Sequence, residues 1–221
     1  MADPEATWPE IPPEVPPPRP SPEPDEPSPP APAQPVPLVM PARPPARVGD
    51  EGLLERRTVL LFGPLTHGAA TRAAAQVMAL DAEGEGEISL HISCQDGELL
   101  AALMLAETID LATSPVIATA KGMVAGVALA PFAAADRRVA SSRAMFRLSE
   151  PTLSLEAVAS ELTTRTEELL THVGRLRAWI AEATGQPPTS VADDMERGRM
   201  LDASAALDYG LLDEILSGPR P

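Results

Sequence analysis

Apolar and polar positions alternate with two periods along this chain. Thr58-Val59-Leu60-Leu61-Phe62 follows Glu55-Arg56-Arg57 and is closed by Gly63-Pro64, which predicts a buried strand ending in a turn. Ala69 to Leu80 (AATRAAAQVMAL) carries apolar residues at helical spacing. Glu83-Gly84-Glu85-Gly86 then turns the chain into Ile88-Ser89-Leu90-His91-Ile92, whose strict alternation predicts a strand with two unlike faces. Glu98 to Ala112 predicts a second helix, and Pro115-Val116-Ile117-Ala118 a third strand. The small-residue run Ala120 to Phe132 (AKGMVAGVALAPF) is read as the start of a third helix. Arg138-Val139-Ala140 is one more strand, followed by Ala144-Met145-Phe146.

Leu155 to Ala183 predicts a long amphipathic helix. Leu162, Leu169, Leu170, Val173, Leu176, Trp179 and Ile180 fall on one broad face, and Gly185-Gln186-Pro187-Pro188 stops it. Two short helices close the pattern, around Val191–Arg197 and Ala203–Tyr209, with Gly210 ending the second before Leu211–Leu216. Strands alternating with helices over short links predict an α/β domain with a mostly parallel sheet.

Composition divides the chain. Residues 1–45 hold 19 of its 27 prolines, in runs such as Pro16-Pro17-Pro18 and Pro44-Pro45. Such a segment lacks backbone donors and apolar mass, so residues 1–50 are expected to form a disordered, Pro-rich acidic arm. The arm reads as a flexible spacer; its alternative is a ligand for a polyproline-reading domain, through Pro41-Ala42-Arg43-Pro44. Residues 51–221 are long enough for one well-buried core.

Net charge is −15, and residues 1–50 contribute three arginines against eight acids. With no Lys/Arg cluster and no interleaving of basic and aromatic residues, nucleic-acid binding is not expected. The single cysteine, Cys94, excludes an intramolecular disulfide and a cysteine-based zinc cluster, and no metal or cofactor is expected. A semi-buried thiol, no basic stretch leading into an apolar run, and no long apolar window predict a reduced, cytoplasmic protein without a membrane span.

The run Ala120 to Phe132 poses a problem. It has the small residues of a strand turning into a helix around an oxyanion hole, yet between Ser114 and Ser141 there is no Ser or Cys and the one hydroxyl is Thr119. With the elements in this order, the body resembles the proteolytic subunit of the Clp protease, ClpP, within the wider ClpP/crotonase superfamily. Glu55-Arg56, Leu80-Asp81-Ala82-Glu83 and Ile88 to Ile92 are similar to that family's opening strand–helix–strand. Thr184-Gly185-Gln186, Asp194, Glu196-Arg197 and Tyr209-Gly210-Leu211-Leu212-Asp213 are similar to its closing segment. The resemblance runs over residues 54–217 and implies a repeated ββα spiral with a long handle helix, as a ClpP-like domain over 51–221.

Members of that family are serine peptidases stacked as two seven-membered rings, fed by an ATP-driven unfoldase. The resemblance therefore implies a Ser-His-Asp triad and backbone oxyanion donors. At the matching positions this sequence has Gly126 for the serine (Gly122 in a shifted register), Arg147 for the histidine and Gly198 for the aspartate. Arginine stays protonated and cannot accept a proton. Gly97 and Val127 match the oxyanion donors, which need no particular side chain. None of His67, His91 and His172 stands at a matching position; His67 is read at a turn, His91 on a strand and His172 on the long helix.

Ser89 and His91 replace the aromatic residues of the family's unfoldase dock, which weakens that dock. Leu153-Ser154-Leu155-Glu156-Ala157 replaces the glycine-rich start of its handle, while Glu196 and Arg197 match residues it uses near its ring contact. Alternatively, that pair is a solvated helical ion pair. The expected function is a non-catalytic ClpP-like subunit, assembling with itself or with catalytic ClpP paralogues in a ring. The alternative is a crotonase-like acyl-CoA enzyme, supported by the order Gly122, Gly126, Asp136 and Glu150, with Glu150 as general base; Ala130, where a second carboxylate often sits in that branch, counts against it. Residual peptidase activity with groups supplied in trans is a third reading.

Overall fold

A computed structural model describes residues 50–84, 86–153, 158 and 160–216. The expected Pro-rich arm lies outside the described residues except for Asp50, and so do 154–157, where the handle and its long helix were expected to begin. Helix α1 (Asp50–Leu54) leads into β1 (Thr58–Phe62), α2 (His67–Glu83), β2 (Ile88–Cys94), α3 (Leu99–Asp110) and β3 (Val116–Ala125). Then come a single 3-10 turn (Gly126–Ala128), α4 (Leu129–Ala133), β4 (Arg137–Ser141) and β5 (Met145–Arg147). The chain closes with α5 (Leu162–Thr184), α6 (Pro188–Glu196), β6 (Met200–Asp202), α7 (Ala203–Tyr209) and β7 (Glu214–Leu216).

The parallel sheet runs β1-β2-β3-β4-β7, with β5 parallel to β3 and β6 antiparallel to β5. This is the mixed α/β architecture that the resemblance implies. Capping residues explain where helices start. Thr66 Oγ1 accepts from the Ala69 N–H at 3.2 Å, and Asp202 Oδ1 from that of Ala205 at 2.8 Å. Helix α5 ends at Gly185 with φ +67°, a left-handed closure that glycine adopts without strain.

Alternation in β1 and β2 sorts the sheet's faces. Val59, Leu61, Ile88, Leu90, Ile92 and Cys94 are buried under α2 and α3, which offer Ala73, Val77, Leu80, Leu103 and Leu105 to the same core. The opposite face carries Leu60 and Phe62, 39% and 53% exposed, beside half-buried Ser89 and His91. Cys94 is fully rather than partly buried, and its Sγ lies 3.2 Å from the Leu61 carbonyl oxygen. Burial pushes its thiol up to about 11.

Two boundaries differ from the sequence expectation. The third strand does not stop at Ala118. It continues to Ala125, so the third helix starts only after the turn at Gly126. The strand is interrupted by a bulge: Ile92 pairs with Ala120 but Cys94 with Val124, and Gly122 sits in the extra loop at φ +75°. The bulge bends β3, which gives its first half (Ile117–Ala120) to β4 and its second (Met123–Ala125) to β5. The long helix starts at Leu162, not Leu155; Val158 belongs to no helix. Of its expected apolar face, Val173, Leu176 and Ile180 are buried and Leu169 and Trp179 half-buried, while Leu162 and Leu170 are 49% and 60% exposed. Most of its first two and a half turns are exposed.

Candidate functional site

The bend in β3 brings three distant segments together. The first is the turn at its end, where Gly126 has φ +56°, a left-handed conformation natural to glycine and costly for a side chain. Gly126, Val127 and Ala128 are buried. The second is β5, with Arg147 opposite Ala125. Phe146 and Leu148 point into the core, and Phe146 stacks obliquely on Phe132 with centroids 5.5 Å apart. Period-two alternation then turns Arg147 and Ser149 outward together. The third is the link from α6 to β6, where Gly198 has φ +64° and its N–H donates to the Met195 carbonyl at 3.1 Å. Pairing of β5 with β6, Arg147 opposite Met200, holds this link beside Arg147.

Gly126, Arg147 and Gly198 thus line one cavity of about 480 Å³. Val127, Ser149 and Glu150 also line it, as do Gln95, Asp96, Pro151 and Thr152. Gly122 does not line it. A Cβ on Gly126 would lie 3.3 Å from Ser149 Oγ. The sequence reading missed that hydroxyl. Its signal was available in the alternation from Phe146 to Ser149, but its nearness to Gly126 is purely tertiary.

The described residues lining the cavity include no histidine. His67 is the first residue of α2 rather than part of a turn, its N–H donating to Glu98 Oε1 at 3.1 Å. His172 lies on α5. His91 lies on β2, where burial first and Lys121 second lower its pKa, and its Nδ1 is buried with no hydrogen bond among the described residues. No group of three or more His, Cys, Asp or Glu side chains among the described residues is placed to hold a metal ion.

Gly97 follows Asp96 but does not itself line the cavity. Its N–H donates to the Asp96 carboxylate at 2.8 Å. Leu65 forms an isolated parallel bridge with it, and a Cβ there would lie 2.6 Å from Leu65 Cβ and 2.7 Å from the Leu65 carbonyl oxygen. Close backbone approach is therefore a sufficient reason for this glycine. Glu150, the acid of the crotonase alternative, is ion-paired with Arg177 of α5.

Glu196 and Arg197 lie at the end of α6 and do not line this cavity, although Gly198 follows directly, and no ion pair joins them among the described residues. They are adjacent in the chain and cannot face one another on a helix. The paired acid of this turn is Asp194, which accepts from Arg199 at 2.9 Å and from the Tyr209 hydroxyl at 3.0 Å. Arg199 also lies 5.0 Å over the Tyr209 ring. Burial, then the hydrogen bond to Asp194, pushes the Tyr209 hydroxyl up to about 12. Arg197 lines a separate, strongly polar hollow of about 590 Å³ beside these groups. Among the described residues no helix is long and apolar enough to cross a membrane.

Comparison with known proteins supplies the lineage. The family model described as Clp protease matches residues 48–219. The chain is 31% identical over 171 residues to the ATP-dependent Clp protease proteolytic subunit 1 of Nocardia farcinica, covering 76% of this chain and 86% of that protein. It is 26% identical over 170 residues to the ATP-dependent Clp protease proteolytic subunit 3 of Rhizobium etli, covering 76% of this chain and 88% of that protein. The chain therefore belongs to the Clp protease family.

Proposed function

We propose that this chain is a non-catalytic, structural or regulatory subunit of a cytoplasmic Clp-type protease assembly. The observation that carries this reading is the cavity where Gly126, Arg147 and Gly198 meet, with no imidazole in its wall among the described residues. Acyl transfer needs a nucleophile and a group to take its proton. Ser149 offers an oxygen, but the cation that lines the same cavity is the Arg147 guanidinium, which is already fully protonated. Glu150 is held by Arg177, which also weighs against a crotonase-type base at that position. Gly97 and Val127 keep their proposed place as remnants of the oxyanion cradle; a bound oxyanion would have to displace the Asp96 carboxylate from the Gly97 N–H.

The assembly half is supported by what the single chain leaves uncovered. Leu60 and Phe62 on the sheet, and Leu162 and Leu170 on the emergent part of α5, are large apolar side chains facing solvent. Partners of the same fold, either further copies or catalytic paralogues, would cover them in a ring. Glu196 and Arg197 are proposed to lie near that contact. With Ser89 and His91 on β2, an unfoldase dock there would have no Phe, Tyr or Trp from this strand.

The test is a mixture of this chain with a catalytic proteolytic subunit from the same organism. Alone, the purified chain should cleave no fluorogenic peptide and take up no fluorophosphonate; with the paralogue it should elute at ring mass. Cleavage by the chain alone that disappears in Ser149→Ala would overturn the non-catalytic reading. A monomer at micromolar concentration with the paralogue present would overturn the assembly reading.

A further inference from the structure

We propose that the cavity bounded by Gly126, Arg147 and Gly198 is a binding site for an organic carboxylate, with the Arg147 guanidinium as its counter-charge. The proposal rests on the reading that no peptide is cut there, and gives the emptied site a ligand class of its own.

Three ionisable side chains line the cavity. Asp96 accepts from the Gly97 N–H at 2.8 Å, and Glu150 is ion-paired with Arg177 outside the wall. Arg147 has no acceptor among the described residues, so it is the lining charge left for a ligand. The Ser149 hydroxyl has no hydrogen bond among the described residues either, and lies 3.3 Å from where a Cβ on Gly126 would be. A free cationic fork and a free hydroxyl therefore face the same space.

The glycines make the room. A Cβ on Gly198 would meet nothing within 4 Å, and Gly126 places no side chain in front of Ser149. A volume of about 480 Å³ lies within the usual range of small-molecule sites. Charge selects the ligand further. With Asp96 and Glu150 in the walls, a dianionic phosphate would meet two carboxylates and one free cation. A singly charged, planar carboxylate matches one guanidinium fork and suffers less repulsion. The carboxylate could belong to a peptide's C-terminus or to a free small acid, and the test distinguishes these sources.

The full-length protein is titrated by calorimetry at low salt with acetyl-tri-alanine as the free acid, with the same peptide as the C-terminal amide, and with propionate. The acid is expected to bind, and the amide to bind about tenfold more weakly or less. Arg147→Gln should lower affinity for the acid by about tenfold and leave the amide unchanged. Ser149→Ala should lower it by a few-fold. Binding of propionate without the peptide acid keeps the carboxylate site and assigns it to a free acid. No heat from either carboxylate at millimolar concentration overturns the proposal, as do equal affinities for acid and amide. Should Arg147→Gln lose its cooperative thermal transition, the acid–amide comparison and Ser149→Ala carry the test. Mass spectrometry of the titrated peptide separates the two readings: hydrolysed peptide sinks the non-catalytic assignment, whereas intact peptide without heat sinks only the carboxylate site.

Discussion

Two glycines near the site are glycine for different reasons, and substitution tells them apart. At Gly97 an added Cβ would strike Leu65 Cβ and the Leu65 carbonyl oxygen at 2.6 and 2.7 Å, and backbone cannot swing aside. Gly97→Ala is expected to lower unfolding free energy in urea by about 1–3 kcal/mol. At Gly198 there is open space, so Gly198→Ala should cost only the left-handed φ, about 1 kcal/mol. Equal losses would refute the close-approach argument. His91 gives a pH signature. Its folded pKa lies below the ordinary 6.5 because burial, then Lys121, disfavour its charged form. Just below that ordinary value the unfolded chain binds a proton that the folded chain does not. Stability is therefore full above it and falls as pH drops through it. The urea midpoint should decrease between about pH 7.5 and about pH 5.5, and His91→Gln should flatten that decrease.

At the scale of elements, β3 and α5 decide most. The bulge at Gly122 separates the part of β3 paired with β4 from the part paired with β5, whose last pair, Ala125 with Arg147, adjoins the turn at Gly126. Helix α5 is half core and half free. Leu176 is wholly buried, so Leu176→Ala should cost about 2–5 kcal/mol in a denaturant titration. Leu170, 60% exposed on the same helix, should change monomer stability by less than about 0.5 kcal/mol when replaced by Ala. The same Leu170→Ala substitution should weaken ring formation with a catalytic partner, read by native mass, if this stretch contacts a neighbour. The apolar stripe was legible from period alone. Which leucines of the stripe meet this chain's own core was not, because periodicity reports a face and not what covers it.

At the scale of the whole molecule, peptide hydrolysis needs an attacking oxygen and a group to take its proton together. Gly126→Ser would restore an oxygen at the turn without supplying a base, since Arg147 faces the same cavity and no imidazole lines it among the described residues. Peptide hydrolysis by this variant is expected to stay at background in a fluorogenic assay. The left-handed φ should also cost it about 1 kcal/mol of stability. Cleavage restored by this change alone would show that another group takes the proton. A mostly parallel sheet was legible as alternating strands and helices, whereas its order, short β6 and β7, and the antiparallel β5–β6 pair were not. Three-residue strands carry too little periodicity to announce themselves, and only pairing defines them.

The sequence by itself determined the α/β class, most element positions, the lineage, and the residue types at 126, 147 and 198 on which the proposed non-catalytic role rests, because these follow from local periodicity and residue identity. Only the tertiary structure decided that Gly126 rather than Gly122 faces the cavity, that Ser149 stands beside it, and that Arg177 pairs with Glu150. Each depends on contacts across many residues of sequence, set by a bulge and a strand pairing whose outcome is fixed by packing of the whole sheet.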